Sequence, residues 1–170
     1  MPRKLLEFLR PSLYALLAVA VLTAVVTPWS RRRAEAAFAN LAAVDAAQLT
    51  PPTADLSPED VVRLQLDGLA DPRTDGAGIM QCFLLASPDN RTATGPVEHF
   101  AALVRSGPFA AMAHPRSRLV GAAQVEGPLA RVLATLLDAD AHLQPFVFIL
   151  RKQTATPFAD CWMTEAVLPQ

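Results

Sequence analysis

The 170-residue chain is short of the residues that usually announce chemistry. It has two cysteines, three histidines and seven glycines. Cys82 and Cys161 stand far apart, form no CxxC pair and share no zinc-ligand spacing with the histidines, which excludes a structural zinc site of ordinary pattern. The glycines make neither a phosphate-cradling P-loop nor a dinucleotide fingerprint, and there is no G-x-S-x-G elbow and no internal repeat. No metal and no cofactor is expected from such a pattern. The cysteines read as two buried thiols; in an oxidising compartment they could instead pair and tie an early helix to the last strand.

Charge is sparse as well, at 18% of residues against 52% hydrophobic. Fifteen basic and sixteen acidic side chains nearly balance, but six of the former and one of the latter fall in the first 33 residues. The remainder holds nine against fifteen, a net of −6. It lacks the basic field that phosphate binding needs, so a nucleic-acid partner is excluded for that part.

What the chain does have begins with an apolar run. Pro11–Trp29 contains no charged residue over nineteen positions, which as a helix covers about 28 Å at roughly 1.5 Å per residue. A single membrane span through residues 11–29 is the expected use; a cleaved targeting segment to an organelle or extracytoplasmic compartment, and a buried soluble helix, are the alternatives. Arg3, Lys4 and Arg10 before the run balance Arg31, Arg32 and Arg33 after it, so the positive-inside rule gives no orientation. Residues 1–33 are thus an anchor or targeting segment. Residues 34–56 are an Ala-rich spacer stiffened by Pro51 and Pro52, and residues 57–170 form the globular domain.

Ser57-Pro58-Glu59-Asp60 is a helix start, with Ser as N-cap, Pro in the first turn and an acid three residues after the cap. Val62, Leu66 and Leu69 follow at helical spacing, Val61 and Leu64 widen the stripe, and the helix should end before Pro72. Gly76–Ala86 reads as a second helix, stopped at Ser87-Pro88, and a third starts near Pro96 with Val97, Phe100, Ala101 and Val104 on one face. The period then changes. Arg118–Val125, Leu129–Leu137, Phe146–Lys152 and Cys161–Leu168 read as four strands. In the second of these neither alternating face is strongly polar, so both sides of the sheet are expected to be partly covered. Helices first and an antiparallel meander second make an α+β fold: three helices packed on a curved four-stranded antiparallel sheet.

Three elements of this arrangement resemble the DUF4864 family, whose fold is similar to the nuclear-transport-factor-2-like (NTF2-like) cone. They are P-E-D-V-V-R-L-Q-L at 58–66, A-S-P-D-N-R-T-A-T-G-P at 86–96 and D-C-W-M-T-E-A-V-L at 160–168. The resemblance covers residues 57–170 and implies the cone shape. That family carries no established activity, so it leaves the chemistry open.

In A-S-P-D-N-R-T-A-T-G-P every residue type has a structural use except Arg91. Ser87 before proline stops a helix, Asp89 and Asn90 cap or form an Asx-turn, and Thr94 can cap the third helix. The segment therefore reads as a corner, with Arg91 free to pair with Asp89 or Glu98 or to serve as an anion ligand in a cavity. Asn90-Arg91-Thr92 is also a glycosylation sequon, relevant only in a secretory lumen. His114-Pro115-Arg116-Ser117-Arg118 precedes the first strand and can reach the mouth of a cone; Arg116 is a candidate ligand contact there and His114 a candidate neutral base. Asp160 opens the closing motif and Glu165 lies within it, where strand alternation puts Trp162 and Thr164 on one face and Cys161, Met163 and Glu165 on the other. Glu165 is a candidate acid or base if buried, or a partner for Arg151 on the next strand.

Three functions remain open on this reading. The leading one is non-catalytic: a membrane-tethered domain binding a small apolar or amphiphilic ligand, with Arg91, Arg116 and Trp162 as candidate contacts, or binding a protein partner. The second, implied by enzymes among similar cones, is an isomerase, dehydratase or hydrolase using His114, Asp160 or Glu165. The third is an assembly subunit, with oligomers possible, acting through an exposed sheet face.

Overall fold

The computed structural model describes residues 44–71 and 76–170. The apolar run at 11–29 lies outside them; among the described residues no helix is long and apolar enough to cross a membrane. The described residues form one compact unit.

Helix α1 (Pro58–Ala70) begins as its sequence dictates. The Ser57 hydroxyl accepts from the Asp60 amide at 3.1 Å and the Asp60 carboxylate accepts from the Ser57 amide at 3.2 Å. This closes a capping box with aspartate in the place that glutamate or glutamine usually takes. The helix turns Val61, Val62 and Leu66 into the core. Helix α2 (Ala77–Leu84) crosses α1 where Gly68 meets Gly78. Part of the 34–56 spacer also lies on this pair: the Gln81 side chain donates to the Thr50 carbonyl at 2.8 Å and accepts from the Thr50 amide at 2.7 Å, as a neighbouring strand would.

The segment expected to be a plain corner is a two-turn helix, α3 (Pro88–Thr94). Ser87 caps it by accepting from the Asn90 amide at 3.1 Å, and Gly95 at φ 82° ends it. Ser87-Pro88-Asp89 repeats the logic of Ser57-Pro58-Glu59, so the start signal was in the sequence. Thr94, expected to cap the following helix, instead donates its hydroxyl back to the Asn90 carbonyl at 2.8 Å. Pro96 is the N-cap residue of α4 (Val97–Val104), which buries Phe100, Ala101 and Val104 as its spacing predicts. A 3₁₀ turn over Gly107–Met112, which no periodicity marks, buries Met112 and stacks Phe109 on Phe146 with ring centroids 6.4 Å apart.

Among the described residues the sheet has five strands, all antiparallel: β1 (Ser117–Val120), β2 (Gln124–Glu126), β3 (Leu129–Leu137), β4 (Leu143–Lys152) and β5 (Trp162–Pro169). The single strand expected over Arg118–Val125 is therefore two. Val120 lies opposite Ala134 but Gln124 lies opposite Arg131, so Gly121–Ala123 set three residues against two of β3. The bulge is held from both sides, Gly121 donating to the Leu133 carbonyl at 2.8 Å and Ala123 to the Glu59 carboxylate at 2.7 Å. That last bond is the largest of the influences holding the Glu59 carboxyl below its ordinary value. A carboxyl so depressed contributes stability above its unfolded-state value, and loses it as pH falls through the folded-state value. We expect the urea midpoint of the protein to fall on acidification below about pH 4.5, with a shallower fall in Glu59→Gln; equal slopes would remove Glu59 from the acid response.

Helices and sheet meet over Val61, Val62, Leu66, Val132, Leu136 and Phe148, all buried. Only one sheet face is covered this way. Opposed residues share a face, and the row Leu133, Val147, Leu168 crosses β3, β4 and β5 on the far side, with Leu133 48% and Leu168 45% exposed. Leu119 and Leu143 on that face are exposed as well. The expectation that both faces are partly covered holds for Val147 and Ile149, which are half-buried, and fails at Leu119, Leu133, Leu143 and Leu168.

Candidate functional site

The link from α2 to α3 is sewn to the last strand. Leu85–Ser87 runs parallel to β5 for one bridge: the Thr164 amide donates to the Leu85 carbonyl at 3.0 Å, and the Ser87 amide donates to the Thr164 carbonyl at 2.9 Å. Asn90 adds its side-chain amide to the same carbonyl at 3.0 Å. This explains the polar interruption in the sequence, since Ser87 and Asn90 tie α3 to the sheet at one residue. It also occupies the sequon, because the amide nitrogen that a glycan would take is spent on Thr164.

On the inner side of Thr164 a buried chain of side chains continues. Its hydroxyl donates to Gln65 Oε1 at 2.7 Å, and Gln65 Nε2 donates to the Cys82 carbonyl at 3.1 Å. Gln65 and Thr164 are 2% and 1% exposed. Two polar groups so placed are costly unless paired, and here each pairs with the other. Between this chain and the far end of α4 lies a cavity of about 270 Å³. Phe100, Leu103 and Val104 of α4, Phe109 and Met112 of the 3₁₀ turn, and Phe148 and Val167 of the sheet supply its apolar wall, and Gln65, Asn90, Thr94 and Thr164 its polar one.

Of the candidate catalytic and ligand residues taken from the sequence, Glu165 alone lines this cavity. It does so through an irregularity. Thr164 opposes Leu150 while Ala166 opposes Ile149, so Glu165 is an extra residue in β5 and the alternation assumed for the closing motif breaks there. Its carboxylate accepts from Arg151 Nε at 3.2 Å, the cross-strand pairing that the sequence suggested. His114 and Arg116 are exposed on the approach to β1. Asp160 is exposed with its carboxylate 4.0 Å from Lys152 Nζ, and Trp162 lies under the same ammonium at 5.9 Å. Arg91 sits between two rings, 5.3 Å from the Phe158 centroid and 5.9 Å from that of Phe83, with its Nε buried and, among the described residues, unpartnered. Burial lowers its pKa from the ordinary arginine value. Phe83 in turn packs on Phe100 at 5.4 Å, so Arg91 reaches the cavity only through two rings.

No family model, curated protein or solved structure matches this chain.

Cys82 is the other titratable group in the cavity wall, and burial pushes its thiol up to about 12. A thiol that keeps its proton is a small apolar surface and not a nucleophile. Both cysteines are free and buried, with no disulfide between them. Outside the cavity, Asp138, Asp140 and His142 cluster in the β3–β4 turn. There Asp138 Oδ1 accepts the amides of Asp140 and His142, each at 2.9 Å, which accounts for the cluster as a turn lock. No pattern in the sequence marks Leu103, Phe109 or Met112 as wall residues. The Ser106-Gly107-Pro108 break that precedes the 3₁₀ turn was the available signal.

Proposed function

We propose that the protein is a membrane-tethered binding domain whose cavity holds a small apolar or amphiphilic ligand, with residues 11–29 as a single-pass anchor and residues 57–170 as an NTF2-like cone of the DUF4864 type. The observation that carries the reading is the cavity of about 270 Å³ between α4, the 3₁₀ turn and the sheet, walled mainly by aromatic and aliphatic side chains. Ligand pockets combine such walls with a few placed polar groups. The acid and base candidates do not converge on it: His114 and Asp160 are exposed elsewhere and Glu165 is engaged by Arg151. That favours binding over the isomerase, dehydratase or hydrolase alternative, which needs two such groups within hydrogen-bond reach of one substrate.

Toluene tests the reading directly, since apolar cavities take up small hydrocarbons. At a hundred times its dissociation constant a ligand stabilises by about 2.7 kcal/mol, or roughly 8 °C in a domain of this size. We expect such a rise in wild type and none in Val104→Phe, which fills the wall. A melting temperature unchanged by both toluene and 1-octanol at saturation would sink the proposal.

The outer sheet face supports a second reading, an assembly subunit. Exposed Leu119, Leu133, Leu143 and Leu168 lie together on it, and contiguous apolar patches of several hundred Å² usually mark interaction sites. If it mediates self-association, Leu133→Lys lowers the sedimentation mass of the full chain to the monomer; a mass equal to wild type removes Leu133 from any such interface.

A further inference from the structure

The hydrogen-bonding inventory of the cavity narrows what fits it. The Thr164 hydroxyl proton is committed to Gln65 and the Thr94 hydroxyl proton to the Asn90 carbonyl. Each oxygen is left with lone pairs to offer. Asn90 Nδ2 is fixed on the Thr164 carbonyl, which orients the amide and leaves Oδ1 without a partner among the described residues. The polar wall therefore offers free acceptors together with the second N–H of the Asn90 and Gln65 amides, each of which donates once among the described residues. Among the described residues it contains no Lys, Arg or His, and its one carboxylate, Glu165, is already matched by Arg151. A ligand carboxylate or phosphate would be taken out of water with no cation to receive it, and an ammonium would find no free counter-charge; either burial is costly. A hydroxyl fits, because it can donate to these oxygens, can accept from a spare amide N–H and carries no charge.

Size sets the rest. An apolar cavity of roughly 150 Å³ accommodates benzene, so about 270 Å³ corresponds on that scale to a ligand of about ten non-hydrogen atoms. We propose that the cavity selects small neutral alcohols, an apolar body of roughly eight to ten carbons lying among Phe100, Val104, Phe109 and Phe148, and a hydroxyl donating at Asn90, Thr94 and Thr164. This rests on the cavity-binding reading above and specifies its ligand class.

The test is a calorimetric titration of the full chain with 1-octanol, octanoate and octylammonium at neutral pH, with toluene as a reference. Val104→Phe, and Leu103→Phe at a half-buried wall position, are titrated in parallel so that partitioning into the preparation is subtracted. A thermal melt confirms that each variant is folded. Octanol is expected to bind wild type at least tenfold more tightly than octanoate or octylammonium, and both filled variants to lose the octanol signal. Octanoate or octylammonium binding as tightly as octanol would overturn the assignment of a neutral hydroxyl while leaving the cavity reading intact. Toluene binding with no octanol binding would do the same. If neither toluene nor octanol binds wild type above the filled variants, the cavity reading itself fails.

Discussion

Gly78→Ala is expected to destabilise the protein by about 3 kcal/mol, which in a thermal melt is a loss of roughly 10 °C. A Cβ built on Gly78 falls 1.8 Å from the Gly68 carbonyl oxygen, and one on Gly68 falls 2.7 Å from the Gly78 carbonyl oxygen. The obstacle is backbone in both cases, so no rotamer change relieves it and the helices must part. Against this, glycine inside a helix gives up about 1 kcal/mol relative to alanine. Both glycines sit inside helices, α1 and α2, and intrinsic propensity alone would favour replacing them. Steric cost outweighs propensity, and it does so more strongly at Gly78, so Gly68→Ala should be the milder change. The Cys82 carbonyl, which anchors Gln65, rides on α2, so parting the helices also loosens the polar wall of the cavity. Toluene binding should weaken in Gly78→Ala. A variant as stable as wild type would mean that the α1–α2 crossing is not held at this distance.

The same crossing shows what a sequence does and does not carry. Helix starts are local chemistry, and Ser57-Pro58-Glu59-Asp60 specified its capping box without help from the rest of the chain. Ser87-Pro88-Asp89 carried the same information, but the turn residues that follow it, Asn90 and Gly95, masked a helix of only two turns. The strand β3 was legible, but alternation did not say which of its two apolar faces is the core; packing on α1 decides for Ala130, Val132, Ala134 and Leu136. Bulges do not, because an extra residue is defined by what the partner strand does. Gly121–Ala123 gained theirs from β3 and from Glu59 on α1, far earlier in the chain; Glu165 gained its place from the register of β4. The cavity is legible least of all. Its wall draws on α1, α2, α3, α4, the 3₁₀ turn, β4 and β5, and only folding brings Gln65 to Thr164. Glu165 stood out because it is charged, and its partner Arg151 was foreseen by strand pairing. Gln65, which matters more to the interior, is an ordinary residue beside an amphipathic stripe until its neighbours are known.

Gln65→Leu should then cost about as much as the glycine substitution, about 3 kcal/mol, because it leaves both the buried Thr164 hydroxyl and the Cys82 carbonyl without their side-chain partner. Thr164→Val is nearly isosteric and strands only Gln65 Oε1, so its cost is smaller, at about 1–2 kcal/mol. Combining them removes both members of the bond, and the double variant should recover about 1–2 kcal/mol relative to the sum of the singles. Strict additivity would mean that the Gln65–Thr164 bond contributes nothing. The cycle also reads the site. Each single variant keeps one of the two polar groups in the wall, whereas the double variant keeps neither and its wall becomes more apolar. Toluene affinity should therefore hold or rise in the double variant while the preference for 1-octanol over toluene falls. A preference that survives the loss of both groups would place the hydroxyl on Asn90 and Thr94 alone, and would reduce the Gln65–Thr164 pair to a structural tie between helix and sheet.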